Sequence, residues 1–76
     1  MPVRDLDTSG LKCPLPVLKA KKALRGLDAG ERLRVTSTDP NALNDFPAYC
    51  NETGQKLIET RTEGTKYFFV IEKVSS

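Results

Sequence analysis

One residue in the 76-residue chain has both the type and the setting for chemistry: Cys13, in the run Lys12-Cys13-Pro14-Leu15-Pro16. With Cys13 as the N-cap, the two prolines fall at the first and third positions of a helix. There the missing proline N–H costs little, and the fixed φ favours initiation. Cysteine caps poorly compared with Ser, Thr, Asp or Asn, so the local rule is broken at this one residue, where functional sites tend to appear. A helix N-terminus carries roughly half a positive charge. With Lys12 it is expected to favour a thiolate, the nucleophile of sulfur exchange. The two prolines remove donors and weaken that effect. The bland alternative is a small buried cysteine at a helix start.

Other chemistry is excluded by absence. The chain has no histidine, so no Cys-His or Ser-His pair can form, and two cysteines alone cannot build a structural zinc site. No P-loop and no Cys-x-x-Cys occurs, and no carboxylate pair stands out for acid–base work. No metal and no cofactor is expected. The second thiol, Cys50, shares a helical face with Phe46, Tyr49 and Thr53, which reads as a buried structural cysteine.

The elements that position Cys13 follow from turn signals and periodicity. The length gives one domain over residues 1–76, near the lower limit for an independent core. Arg4–Asp7 reads as a first strand, broken by Thr8-Ser9-Gly10. A helix runs from about Pro14 to Arg25 or Leu27, with Val17, Ala20, Ala23, Leu24 and Leu27 as its core stripe. Asp28-Ala29-Gly30 ends it. Residues 32–38 alternate as a second strand, and the pair makes a right-handed βαβ unit. A second helix covers about Ala42 to Glu52, with a break near Asp45-Phe46-Pro47 and Asp45 as a candidate N-cap; Gly54 terminates it. Residues 56–62 and 66–74 form a hairpin about Glu63-Gly64-Thr65. The expected fold is a two-layer α/β sandwich, βαβαββ, with both helices on one face of a four-stranded mixed sheet. Phe68 and Val70 then fall on the far face, as a dimer or partner surface or packed among strand neighbours.

Charge is uneven. Lys12, Lys19, Lys21, Lys22, Arg25, Arg32 and Arg34 stand against Asp28 and Glu31, while the whole chain carries only +2. This is either a solvated helix face or a surface that attracts an acidic partner. The stripe lacks interleaved aromatics, so no stable nucleic-acid binding is expected. Leu15 and Leu18 fall off the core stripe beside Lys19 and Lys22. These four residues form a candidate docking surface, unless one leucine packs under the N-terminal loop. Few cysteines, no signal-peptide core and no run near the ~18 apolar residues of a membrane span point to the cytoplasm. A monomer is expected.

The motif itself resembles a known family. Leu6-Asp7-x-x-Gly10-Leu11-x-Cys13-Pro14-x-Pro16 is similar to the signature of the TusA/SirA-like sulfur carriers. Asp39-Pro40, then Asp45-Phe46-Pro47-x-x-Cys50, resembles the family's second segment. The resemblance covers nearly the whole chain and implies the βαβαββ fold. It further implies a persulfide on Cys13, loaded by a cysteine desulfurase or a rhodanese and passed to an acceptor protein. Gly10, Lys12, Pro14 and Pro16 would support that site. The pathways it implies are tRNA thiolation, molybdenum cofactor supply or sulfur oxidation. From another class, a thiol-based redox-sensing or regulatory module is the competing reading.

Overall fold

The computed structural model describes residues 3–74 and has the order β1 (Val3–Thr8), α1 (Leu15–Arg25), β2 (Arg32–Ser37), α2 (Ala42–Thr53), β3 (Lys56–Glu63) and β4 (Lys66–Glu72). The sheet runs β1-β2-β4-β3. β1 and β2 are parallel, as a helical crossover requires, and β4 lies antiparallel to both β2 and β3. One end of the sheet aligns Val3, Arg32, Glu72 and Lys56. The other aligns Thr8, Ser37, Tyr67 and Thr62.

Period-two alternation puts Leu33 and Val35 of β2 opposite Ile71 and Phe69 of β4, all fully buried. α1 lies over β1 and β2, and α2 over β3 and β4, so both helices cover this one face. α1 contributes Ala20 and Leu24; α2 contributes Ala42, Phe46 and Cys50. Phe46 stacks on Phe69 with ring centroids 4.6 Å apart, joining α2 to the middle of the sheet.

Three details depart from the sequence expectation. α1 starts at Leu15 with Pro14 as its N-cap, one residue later than a Cys13 cap would give. It ends at Arg25, the shorter of the two expected ends, but the stop is Gly26 and not Asp28-Ala29-Gly30: the Gly26 N–H donates to the Ala23 carbonyl and the Leu27 N–H to the Leu24 carbonyl, both at 3.1 Å. Gly30 closes the next turn instead, donating to the Lys73 carbonyl at 2.8 Å, while Leu27 still enters the core from the loop. α2 does not break at Pro47 and is capped at Asn41, not Asp45. Pro47 deprives only the Leu43 carbonyl, which lies in the exposed first turn, of its helical donor. The expected stop at Gly54 holds: φ is +77, and its N–H reaches the Cys50 carbonyl at 2.9 Å.

The far face carries Phe68 and Val70 half-buried in a shallow concavity among Asp5, Arg34, Glu59 and Arg61. Arg34 pairs with Asp5 at 2.6 Å, and the long charged side chains cover part of the apolar surface. β3 carries a register shift between Leu57 and Glu59, a bulge that no turn residue announces.

Candidate functional site

Cys13 stands where the β1–α1 and β2–α2 loops meet, at the C-terminal ends of the two parallel strands. Open α/β sheets commonly bind ligands at such ends. The loops are tied together by hydrogen bonds. The Cys13 N–H donates to Asp39 Oδ2 at 2.6 Å, and the Gly10 N–H donates to Thr38 Oγ1 at 2.8 Å. Asp39 Oδ1 also accepts from the Asn41 N–H at 3.0 Å, and Ser37 Oγ accepts from the Asp39 N–H at 3.1 Å. Gly10 turns the chain with φ +82, a conformation that side chains other than glycine rarely adopt. Below the loops, Thr8 and Ser37 are fully buried, and Thr8 Oγ1 donates to the Thr36 carbonyl.

The thiol borders two cavities. One, of about 470 Å³, is lined by Gly10, Lys12 and Cys13 on one side and by Thr38, Asp39 and Asn41 on the other. The second, of about 230 Å³, lies between the helices, with Pro14 and Val17 facing Asp45, Ala48, Tyr49 and Glu52. Cys13 is exposed and Cys50 is buried at 5% exposure, each a free thiol. Burial pushes the Cys50 thiol up.

The electrostatics of Cys13 reverse the sequence expectation. The Asp45 carboxylate, across the same cavity, raises the thiol above its ordinary value of 9.0 by accepting its proton; desolvation and the negative charges of Asp45 and Asp39 push the same way. The helix end offers little opposition. Pro14 and Pro16 have no N–H, and the Leu15 N–H is taken by the Lys12 carbonyl at 2.9 Å. The charge of Lys12 acts on Asp39, helping the Asn41 and Cys13 amides to hold that carboxyl low. The thiol of the isolated chain is therefore held protonated.

Gly10, Lys12, Cys13 and Pro14 are thus brought together, whereas Pro16 lies on the buried face of α1 with Ala20 and Leu24. Leu15, Leu18, Lys19 and Lys22 are exposed on α1 and line neither cavity; Leu15 is 46% and Leu18 51% exposed. The residues missed from the sequence are Asp39, Asp45 and Glu52. The signal for the first two is the Asp39-Pro40 and Asp45-Phe46-Pro47 segment, which the sequence marks as turn and helix-start residues and as part of the family resemblance, with no role at the thiol. Among the described residues no group of three or more Cys, Asp or Glu is arranged to hold a metal ion.

Comparison with known proteins decides the family. The family model described as Sulfurtransferase TusA matches residues 4–73. The chain belongs to the TusA sulfurtransferase family. A relative named sulfur carrier protein TusA, from Allochromatium vinosum, is 47% identical over 70 residues, covering 92% of each chain. A putative sulfur carrier protein of Neisseria meningitidis is 43% identical over 67 residues, covering 88% of this chain and 90% of the relative. The crystal structure of a SirA-like protein from Desulfitobacterium hafniense superposes with a TM-score of 0.82 at 24% identity, covering 97% of this chain and all of that one. It shares the fold, and the TusA family assigns the chain a role in carrying sulfur.

Proposed function

We propose that the chain carries sulfane sulfur as a persulfide on Cys13, taking it from a donor protein and relaying it to an acceptor protein. The observation behind this reading is accessibility: Cys13 is exposed at the junction of two loops, and Cys50 lies in the core. In loading, the Cys13 thiolate attacks the outer sulfur of a donor persulfide. A new S–S bond forms, the donor S–S bond breaks, and the donor cysteine leaves as a thiolate. Unloading repeats the step, with an acceptor thiolate attacking the outer sulfur and Cys13 leaving. No histidine is present to take a proton, so the chain depends on its partners for activation.

A cysteine desulfurase or a rhodanese is the proposed donor, and the acceptor serves tRNA thiolation, molybdenum cofactor synthesis or sulfur oxidation. The partners dock on α1 through Leu15, Leu18, Lys19 and Lys22, and the chain works as a monomer in the reducing cytoplasm. No helix among the described residues is long and apolar enough to cross a membrane. A redox sensor is the weaker reading, because sensor thiols are usually acidic and Asp45 makes this one less so.

The test is intact mass after incubation with a cysteine desulfurase and cysteine. One added sulfur atom, absent in Cys13→Ser and removed by a reductant, is expected. A chain that gains no sulfur from a desulfurase or from a rhodanese would sink the proposal.

A further inference from the structure

Cys13 opens onto a groove whose two walls differ in charge. Pro14 and Val17 form the α1 wall, and Asp45, Ala48, Tyr49 and Glu52 form the α2 wall. Their spacing in α2 puts all four on one face, with a carboxylate at each end and apolar surface between. Among the described residues neither Asp45 nor Glu52 belongs to an ion pair. The nearest lysine along the chain, Lys12, lines the other cavity and faces Asp39. The groups around the thiol are therefore Lys12 and Asp39 on the loop side, and Asp45, Glu52 and the Tyr49 phenol on the α2 side; Arg25, in the last turn of α1, acts on the Tyr49 phenol from the far end of the groove. Among the described residues, Asp45, the carboxylate nearest the thiol on this wall, forms no ion pair.

We propose that Asp45 is a specificity-determining residue for sulfur exchange at Cys13, selecting partners that place a cationic side chain beside their reactive sulfur. The inference deepens the persulfide reading and rests on Cys13 being the exchanging atom. In the free chain Asp45 lines the same groove as Cys13, and its charge disfavours the thiolate there. Once the sulfur is loaded, the same carboxylate opposes departure of Cys13 as a thiolate, because a more basic thiolate leaves more slowly. A lysine or arginine entering the groove pairs with Asp45, while Glu52 at the far end adds to the field that draws it in. It frees the thiol from its acceptor and offsets the negative field. Attack and departure at Cys13 both speed up only while that partner is docked. An anionic partner meets repulsion in the same place.

Small disulfides test this without any sulfur donor. Cystamine is cationic, hydroxyethyl disulfide is neutral and dithiodiglycolate is anionic. In each reaction the Cys13 thiolate attacks one probe sulfur, the probe S–S bond breaks, and the other half leaves as a thiolate that takes up a proton. Second-order rates come from intact mass, with Cys13 confirmed as the modified residue by peptide mapping. The ratio of cystamine to dithiodiglycolate rates at one pH cancels the thiolate fraction. That ratio is expected to fall about fivefold in Asp45→Asn and about twofold in Glu52→Gln. The pH midpoint of Cys13 alkylation should also move down in Asp45→Asn. Unchanged ratios in folded Asp45→Asn and Glu52→Gln would overturn the inference. If Asp45→Asn does not fold, Glu52→Gln decides by the same ratio. Failure of desulfurase loading is a separate result, because these probes carry no sulfane sulfur.

Discussion

Cys13 shows how a single residue's chemistry is set by groups far away in sequence. Its own neighbours, Lys12 and the helix start, suggest an anion; Asp45 and Asp39 push the thiol the other way. The cysteine was legible because its motif is local, whereas the carboxylates meet it only after the chain folds. Asp39 does two jobs: it clamps the Cys13 amide and adds negative charge near the thiol. The Asn41 amide, followed by that of Cys13, holds its carboxyl below the ordinary value of 3.8. A carboxyl lowered by folding stabilises the fold above its unfolded value, and that contribution disappears as pH falls through the folded value. Asp39→Asn is accordingly expected to melt below the parent at pH 7. The gap should close below pH 3.8, in thermal melts followed by circular dichroism. A gap of constant size across that range would remove the clamp from the account.

At the scale of elements, periodicity located both helices and all four strands, and it placed Leu15 and Leu18 outside the core. It could not tell which of two glycines ends α1, since Gly26 and Gly30 each offer a stop and only packing of Leu27 on the sheet chooses. Nor could it see that α2 runs through Pro47, because the cost depends on where the orphaned Leu43 carbonyl points. The β3 bulge has no sequence mark, as Ile58 would continue a regular strand equally well. The exposed side of α1 carries its own prediction. Leu18→Ser should slow transfer from a desulfurase roughly fivefold, a loss of about 1 kcal/mol for a peripheral apolar contact. Lys22→Glu should slow it at low salt and much less at ~1 M salt, where charges are screened beyond about 3 Å. Stopped-flow transfer kinetics measure both, and unchanged rates would take docking away from this face. Neither change should disturb folding, because both side chains are exposed.

The whole molecule has a Cα radius of gyration of 11.1 Å, and its core gathers around one aromatic stack. The two-layer βαβαββ arrangement was readable from element order and the handedness of the crossover. The insertion of β4 between β2 and β3 rests on long-range pairing that no local signal fixes. Phe46 and Phe69 are both fully buried, so the core has no spare layer to absorb a cavity. Phe46→Ala should cost about 3–5 kcal/mol. Small domains hold only a few kcal/mol in reserve, so most of this variant should be unfolded at 37 °C. Phe46→Leu should remain folded with a lower urea midpoint. Equilibrium urea titration checks both, and a small loss for Phe46→Ala would mean the stack is not the centre of stability.

The alignment of the strand ends has a practical consequence. Val3 and Val74 both lie at the end of the sheet marked by Arg32, Glu72 and Lys56, with the Val74 amide bonded to Gln55 at 2.7 Å. Cys13 lies at the other end, beyond Thr8 and Ser37. A bead, biosensor surface or fused reporter joined through either of those ends would stand a sheet's length from the sulfur. Handing-over of sulfur could then be timed on an anchored chain with the reactive end still facing the solution.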